Sequence, residues 1–482
     1  MEQATEVYPN VYKTPSSDIF PDYAKFQGTD QDKFDMIYAT LDTLIEIMDR
    51  NKVYEKSAEW DEEGVKLVNG KVVFPNGYEK VIDEIIKENQ LGTLVLPESL
   101  GGLELTTVQF APVIELVARY DASMGMTAMS GLGIMNILKQ FYKPEFEDIL
   151  QGFAVGENTG YAAFTEAQAG SNLRNIKSTS VLDGDDYVLN GTKIFITNGG
   201  YANYGIFLAN NIVDGKKEGT NVFLVGDYEG ITAVRLEHKS GIRTSPTAEL
   251  LFEDVRVPKE HLIGEVGTGY EKVIERLLGM RVSVSFQALG NCKRAYELAE
   301  SYSNTREQFG KPIGSFPAIQ RKLKQMRLQL SRMEEWAYAG AFALDWVTER
   351  TDVMGVQEAN TKREKLAHSI KEILKHEDLI HYYVSGGKLY NGEISNYFMY
   401  DAQQIFGGNG FISETEINKI TRDVRILPVF DGTSEIHAWV VNRSLKYLDT
   451  IPEFVKVSSI WEGNTIYEDH VISRFPSLRD KL

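Results

Sequence analysis

The sequence predicts an α+β chain in which helices come first, an antiparallel β domain follows and helices return. Three observations carry this reading. Apolar residues recur at helical spacing from Asp32 to about Ile149, the period turns strand-like near Gly160, and after Val266 the helical period holds to about residue 450. The expected division is an N-terminal arm over 1–32, a helical domain over 33–157, a β domain over 158–266, a helical bundle over 267–450 and a tail over 451–482. A chain of 482 residues, 43% hydrophobic and 25% charged, has a globular composition and is long enough to bury a large core.

The arm holds Pro9, Pro15 and Pro21 among scattered Tyr and Phe without a period, and reads as extended chain laid on the body. From Asp32 to Asn51, Phe34, Ile37, Leu41, Leu44, Ile45 and Met48 fall at i, i+3, i+4 spacing and predict one helix. Asn69-Gly70 between two short β-prone runs predicts a small hairpin. Helical patterns resume at Tyr78, with a break from Pro97 to Gly102. The run MGMTAMSGLGIM reads equally as adaptable core packing and as a pocket lining in which Met124, Met126 and Met129 set the volume.

In the β domain, Tyr187–Thr197 is expected to be two strands joined by a turn at Asn190-Gly191. Further strands are expected over 204–208, 221–225, 231–236 and 249–252, with turn signals at short intervals that favour antiparallel pairing. In the last third, Ile319, Leu323, Met326, Leu330, Met333, Ala337, Gly340 and Leu344 alternate by four and three. That stripe suits one long helix of an antiparallel bundle, or a subunit contact. The tail from Ile451 mixes Pro, Trp461, Tyr467 and charges, and reads as docked on the surface.

Composition also narrows function. A formal charge of −18 argues against nucleic acid, whose phosphates need Lys and Arg. Cys292 is the sole cysteine, which excludes intrachain disulfides and thiolate metal clusters, and no metal is expected. The first residues, MEQATEVYPN, have neither the layout of a secretory signal nor that of a transit peptide, and no stretch approaches 18 uncharged apolar residues. The expectation is a cytoplasmic protein without a membrane span.

Four stretches carry chemistry. YAAFTEAQAGS (161–171) puts an aromatic and a hydroxyl, Phe164-Thr165, ahead of a turn open to close backbone approach. Phe195-Ile196-Thr197-Asn198-Gly199-Gly200 places an aromatic, a hydroxyl and a Gly pair at a strand end, where they can stack on and hydrogen-bond a planar ring; strand-end turns also look like this. Asn304–Ile313 offers a cation and a Gly turn between two long helices, suited to a pyrophosphate or simply to a solvated loop. Gln403–Val441 combines a glycine turn, Gly407-Gly408-Asn409-Gly410, a helical segment around Arg422, and Phe430-Asp431-Gly432-Thr433 opening a further helix. Backbone N–H groups at a helix N-terminus beside a carboxylate suit an anionic ligand and a proton transfer, and Asp-Gly is also a common turn pair.

Taken together and in order, AAFTEAQAGS, GTKIFITNGG, GIRTSPTAELLFEDVRVPKEHLIGEVGTGY, TREQFGKPIGSFPAIQ, QIFGGNGF and TRDVRILPVFDGTSEI resemble the acyl-CoA dehydrogenase flavoprotein family over roughly residues 35–445. The resemblance implies an N-terminal helical domain, a middle β domain and a C-terminal four-helix bundle, assembled as a homotetramer or homodimer. It implies bound FAD, an acyl-CoA substrate from fatty acid metabolism and an electron-transfer flavoprotein as acceptor. By position, Phe164, Thr165, Phe195, Ile196 and Thr197 would line the flavin, with Phe195 replacing a common tryptophan. Arg306, Gln308, Phe309, Gln404, Gly407 and Gly408 would hold the FAD of a neighbouring subunit, while Thr433 and Glu435 would contact the flavin's pyrophosphate or adenosine end. Ser171, Arg281 and Gly432 would contact substrate. Pro317 stands where the family usually has a glutamine, which removes one cofactor contact.

The family's reaction removes the thioester α-proton to a carboxylate while the β-hydrogen leaves as hydride to flavin N5. Most members place glutamate where this chain has Asp431, and a second known location falls on Met280, which cannot act as a base. Aspartate is shorter by one methylene, about 1.5 Å of reach, so the resemblance supports three readings. Asp431 abstracts the α-proton in a reshaped site; or the chain resembles the nitroalkane oxidase branch, which also uses aspartate here; or the flavoprotein scaffold serves binding or assembly. Glu275 is the next candidate base, upstream of Arg281 on the same predicted helix.

Overall fold

A computed structural model of the chain describes residues 31–270, 278–353 and 363–445. The expected tail, Glu275 and the arm up to residue 30 lie outside the described residues. The chain forms two compact units, one of residues 31–42, 106–120, 278–353 and 363–445, the other of residues 43–105 and 121–270. Together they give the α+β order read from the sequence, helices, then a sheet, then helices.

The first elements follow their patterns. Helix α1 (Gln31–Arg50) buries Ile37, Leu41, Leu44, Ile45 and Met48. After α2 (Val53–Glu63), strands β1 (Lys66–Val68) and β2 (Lys71–Val73) form the expected hairpin. Its turn residues have φ of 52° at Asn69 and 77° at Gly70, as a tight Asn-Gly turn requires. Helices α3 (Tyr78–Asp83), α4 (Thr107–Tyr120), α5 (Ala122–Gln140) and α6 (Glu147–Ala154) complete the first part.

The second unit is built on an eight-stranded sheet. Its strands are β3 (Gly160–Ala163), β4 (Thr179–Asp183), β5 (Asp186–Thr197), β6 (Tyr204–Val213), β7 (Lys216–Val225), β8 (Ile231–Leu236), β9 (Thr247–Pro258) and β10 (Leu262–Ile263). They run in the order β10-β7-β6-β4-β5-β9-β8, with β3 on β6. Pairing is mainly antiparallel, as expected, but β3 and β4 each pair parallel to β6.

One expectation is corrected. Asn190-Gly191 is not a turn between two strands; β5 runs straight through it. The turn chemistry is used for a bulge instead. Asn190 accepts from the Asp254 backbone N–H at 2.9 Å and donates to the Asp254 carboxylate at 3.0 Å, and Asp254 has φ of 52°. The bulge shifts the β5–β9 register, so β9 buries Ala248, Leu250 and Phe252 before it and Val255 and Val257 after it. Without that extra residue the apolar side chains would change face halfway along the strand. Gly191 is required because a Cβ there would lie 2.1 Å from the Ser178 hydroxyl.

The helical unit contains α7 (Leu278–Thr305), α8 (Pro317–Val353), α9 (Arg363–Phe406), α10 (Glu416–Val424) and α11 (Ser434–Leu445). Helices α7, α8 and α9 pack on one another, α11 packs on α9, and α4 lies against α7 and α8. On α8 the predicted stripe turns Met326, Met333 and Ala337 fully inward. The α4 N-terminus is capped from α8, where Asp345 accepts from the backbone N–H groups of Thr107 and Val108 at 2.7 and 2.8 Å. The α4–α7 crossing is set by Gly290, where a Cβ would sit 2.3 Å from the Glu115 carbonyl oxygen. Backbones that close leave no room for a methyl group. Gly290→Ala is therefore expected to lose about 1–3 kcal/mol, read as a lower urea midpoint; an unchanged midpoint would show that the helices do not approach this closely.

Candidate active site

In the sheet unit, β3 delivers Phe164 and Thr165 to the end of the strand, where a buried ion pair fixes the chain. Lys193 on β5 is fully buried and donates to the Glu166 carboxylate at 2.7 Å, to the Leu208 carbonyl at 2.7 Å and to the Phe164 carbonyl at 3.2 Å. Glu166 also accepts from the Ser178 hydroxyl at 2.5 Å and from the Lys177 backbone N–H at 2.6 Å. Burial pushes the Glu166 carboxyl up, but Lys193, Ser178 and Lys177 outweigh it and hold the group at about 2. Burial lowers Lys193 to about 8, which still leaves it protonated at neutral pH, so the pair is ionised.

The second motif is tied to the first, because the Ile194 N–H donates to the Thr165 carbonyl at 2.9 Å. Phe164, Thr165, Phe195, Ile196 and Thr197 are thus brought together. A second bulge between Lys193 and Ile196 gives Phe195 a φ of 60° and turns its ring outward, 62% exposed, while Ile196 is buried. Asn198, with φ of 61°, anchors the following turn by donating to the carbonyls of Thr127 and Gly160 at 3.0 and 3.2 Å. Near it, the buried Asn198 Oδ1, the Thr127 and Thr244 Oγ1 and the Ser245 Oγ have no hydrogen-bond partner among the described residues. Ser171 lies exposed in the loop after the tight Glu166–Ala169 turn.

In the helical unit, Thr305 ends α7 and a two-residue-per-strand hairpin, β11 (Glu307–Gln308) with β12 (Lys311–Pro312), leads into α8. Phe309 and Gly310 form its tip with φ of 54° and 77°, and Arg306, Gln308 and Phe309 are all exposed. The last turn of α7, just ahead of the hairpin, is joined to the Gly407 turn through Tyr302 and Phe406, which the sequence did not single out. The Tyr302 ring stacks on Phe406 at 4.2 Å between centroids, and the Asn409 amide donates to the Tyr302 hydroxyl at 3.0 Å. Gly407, with φ of 59°, and Gly408 have open space where a Cβ would stand, and Gln404 beside them donates to the Tyr400 hydroxyl at 3.0 Å.

A different part of the same unit gathers Arg281, Asp431 and Gly432. Asp431 and Gly432 both lie in the left-handed region, with φ of 50° and 96°. The Asp431 side chain is half-buried, and no donor among the described residues is hydrogen-bonded to its carboxylate. Burial raises the carboxyl above its ordinary value, while the charges of Lys388 and Arg281 pull it back. Thr433 and Glu435 follow at the start of α11, where the Thr433 carbonyl accepts from the His437 N–H at 3.0 Å. Sequence reading missed Lys388 and His437, both fully buried. Lys388 gave no sequence signal, because α9 is buried on every side over residues 382–395 and Asn391 and Ser395, on the same side, are polar as well.

A family model for the acyl-CoA dehydrogenase middle domain matches residues 162–255, and one for the acyl-CoA dehydrogenase C-terminal domain matches residues 267–362 and 357–446. The human mitochondrial short-chain specific acyl-CoA dehydrogenase is 31% identical over 363 residues, covering 74% of this chain and 81% of that one. The chain belongs to the acyl-CoA dehydrogenase family. The structure of acyl-CoA dehydrogenase complexed with FAD from Bacillus anthracis is similar, with a TM-score of 0.71 and 29% identity, over 88% of this chain and 68% of that one. So is a chain of a structure described as the electron transferring flavoprotein of Acidaminococcus fermentans, with a TM-score of 0.72 and 26% identity, over 85% and 97%.

As a member of this family the protein is an FAD-dependent acyl-CoA dehydrogenase. Its residues fit the cofactor. The sheet unit has an uncovered aromatic ring at Phe195 and spare buried polar atoms beside Asn198. The helical unit has an open glycine turn and the exposed Arg306. Among the described residues there is no group of three or more His, Cys, Asp or Glu side chains placed to hold a metal ion, and no helix long and apolar enough to cross a membrane.

The buried pair gives two linked expectations. Lys193→Met leaves Glu166 buried without its cation and should cost about 3–5 kcal/mol, read as a fall in the thermal midpoint. Because the folded Glu166 lies at about 2 and an unfolded glutamate near 4.5, the pair's contribution is complete above pH 4.5 and lost as pH falls from there toward 2. The difference in stability between wild type and Lys193→Met should narrow over that window; a constant difference would contradict the ion pair.

Proposed function

We propose that the protein removes two hydrogens from the α and β carbons of an acyl-CoA thioester, and that Asp431 is the base that takes the α-proton. The observation that carries this reading is the Asp431 carboxylate itself, half-buried, without a hydrogen-bond partner among the described residues and raised by burial. A base for a carbon-bound proton needs partial desolvation, since that strengthens it. The charges of Lys388 and Arg281 act against that rise and favour the ionised carboxylate.

In this reading Asp431 accepts the α-proton as the C–H bond breaks, and its carboxylate becomes a neutral acid. Bound FAD supplies the acceptor for the β-hydrogen and its electron pair. Phe164, Thr165, Phe195, Ile196 and Thr197 hold and orient the flavin ring. Arg306, Gln308, Phe309, Gln404, Gly407, Gly408, Thr433 and Glu435 hold the rest of the cofactor, and Ser171, Arg281 and Gly432 contact substrate. We also propose a cytoplasmic homotetramer or homodimer, in which a neighbouring subunit would cover Phe309, 92% exposed, and an electron-transfer flavoprotein as the acceptor. The aspartate at the base position favours one second reading, abstraction of a proton beside a nitro group.

Anaerobic mixing of the FAD-loaded protein with a panel of acyl-CoAs, and separately with nitroalkanes, distinguishes the two. Bleaching by an acyl-CoA is expected; bleaching by nitroalkanes alone would replace the proposal with the second reading, and bleaching by neither would leave only a binding scaffold. Asp431→Asn should slow bleaching by at least about a hundredfold, the lower end of what a positioned base contributes. Since protonation disables the base and burial raises its pKa, the acid limb of the rate should lie above the ordinary carboxylate value of about 3.9.

A further inference from the structure

The Asp431–Gly432 turn is held by both of its carbonyls. Lys388 Nζ on α9 donates to the Gly432 carbonyl at 2.5 Å, and His437 Nε2 on α11 meets the Asp431 carbonyl at 3.0 Å. A carbonyl can only accept, so His437 carries its proton on Nε2, which leaves its buried Nδ1 as an acceptor without a partner among the described residues. Burial, reinforced by the charges of Lys388 and Arg281, holds the His437 ring well below its ordinary pKa and so neutral. A Cβ on Gly432 would lie 2.8 Å from His437 Nε2, so the imidazole is pressed against the turn.

This arrangement is costly for a purely structural contact. Lys388 has no exposed surface, and no carboxylate among the described residues lies within ion-pair distance of it. A buried ammonium is unfavourable unless a charge or strong hydrogen bonds compensate it. Asp431 is the largest favourable charge acting on it, ahead of Glu393 and Glu435. The turn also keeps a non-glycine residue at a positive φ, a conformation that persists only where its surroundings enforce it.

We infer that Lys388 and His437 are positioning residues, which lock the left-handed Asp431–Gly432 turn by its two carbonyls and so aim the short aspartate carboxylate at the substrate α-carbon. The inference rests on Asp431 being the base. An aspartate has less reach than a glutamate and less freedom to search for its proton, so the backbone that carries it must be fixed. Neither residue touches the reacting atoms; both act through the turn.

The test uses the FAD-loaded protein and whichever acyl-CoA bleaches it. Flavin reduction is followed anaerobically over a range of substrate concentrations in Lys388→Met, His437→Leu, His437→Gln and Asp431→Asn. Displacement of a reacting group by about 1 Å slows a reaction about a hundredfold. Lys388→Met and His437→Leu are therefore expected to lower the limiting reduction rate by about tenfold to a hundredfold, with half-saturation, FAD content and thermal midpoint little changed. His437→Gln, which can restore an N–H donor, is expected to recover most of the loss. A wild-type limiting rate in Lys388→Met or His437→Leu would overturn the inference, as would a loss confined to half-saturation or to FAD content. If Lys388→Met does not fold, the contrast between His437→Leu and His437→Gln decides. An Asp431→Asn variant that reduces flavin normally would refute the base assignment, whereas an inactive Asp431→Asn beside an unimpaired Lys388→Met would refute the positioning role alone.

Discussion

A carboxylate that takes a proton from carbon must be poorly solvated and yet ionised. Those demands conflict, because burial favours the neutral acid. Around Asp431, the base we propose, burial raises the carboxyl while two cations that do not bond to its oxygens, Lys388 and Arg281, pull it back toward the charged form. The turn itself is made possible by Gly432, whose φ of 96° and close approach to His437 leave no room for a side chain. In that unit α9 and α11 pack together, and each supplies one donor to the turn.

The sheet unit solves a related problem by a different route. It presents an aromatic ring and hydroxyls at the end of two strands, and strand ends are prone to fray. Here the Lys193–Glu166 pair lies under them, and its hydrogen bonds reach three separate segments of chain. Bulges do the rest. The one at Asn190 preserves the buried face of β9, and the one before Ile196 turns Phe195 outward while its neighbour stays in the core. Both depend on residues that tolerate, or are held in, a positive φ.

Periodic elements were legible in the sequence because burial writes them there. The α1 pattern, the Asn69-Gly70 hairpin and the long stripe of α8 all appear where the spacing of apolar residues put them. Asn190-Gly191 misled because the same dipeptide serves a tight turn and a bulge, and only the partner strand, through Asp254, decides between them. The candidate site was legible where its residues form short ordered motifs, as around Thr165, Thr197 and Gly407. Tyr302, Phe406 and Lys388 were not, since each works through a contact distant in sequence, and His437, near Asp431 in the chain, belongs to no motif that pointed to it. Lys388 lies 44 residues from the carbonyl it holds.

The central claim is that Asp431, on its clamped turn, removes the α-proton. Loss of an α-hydrogen to solvent reads that step directly. An acyl-CoA deuterated at the α-carbon, incubated anaerobically with the FAD-loaded protein in ordinary water, is expected to lose deuterium with wild type and to keep it with Asp431→Asn. Equal loss of deuterium with both proteins would contradict the assignment.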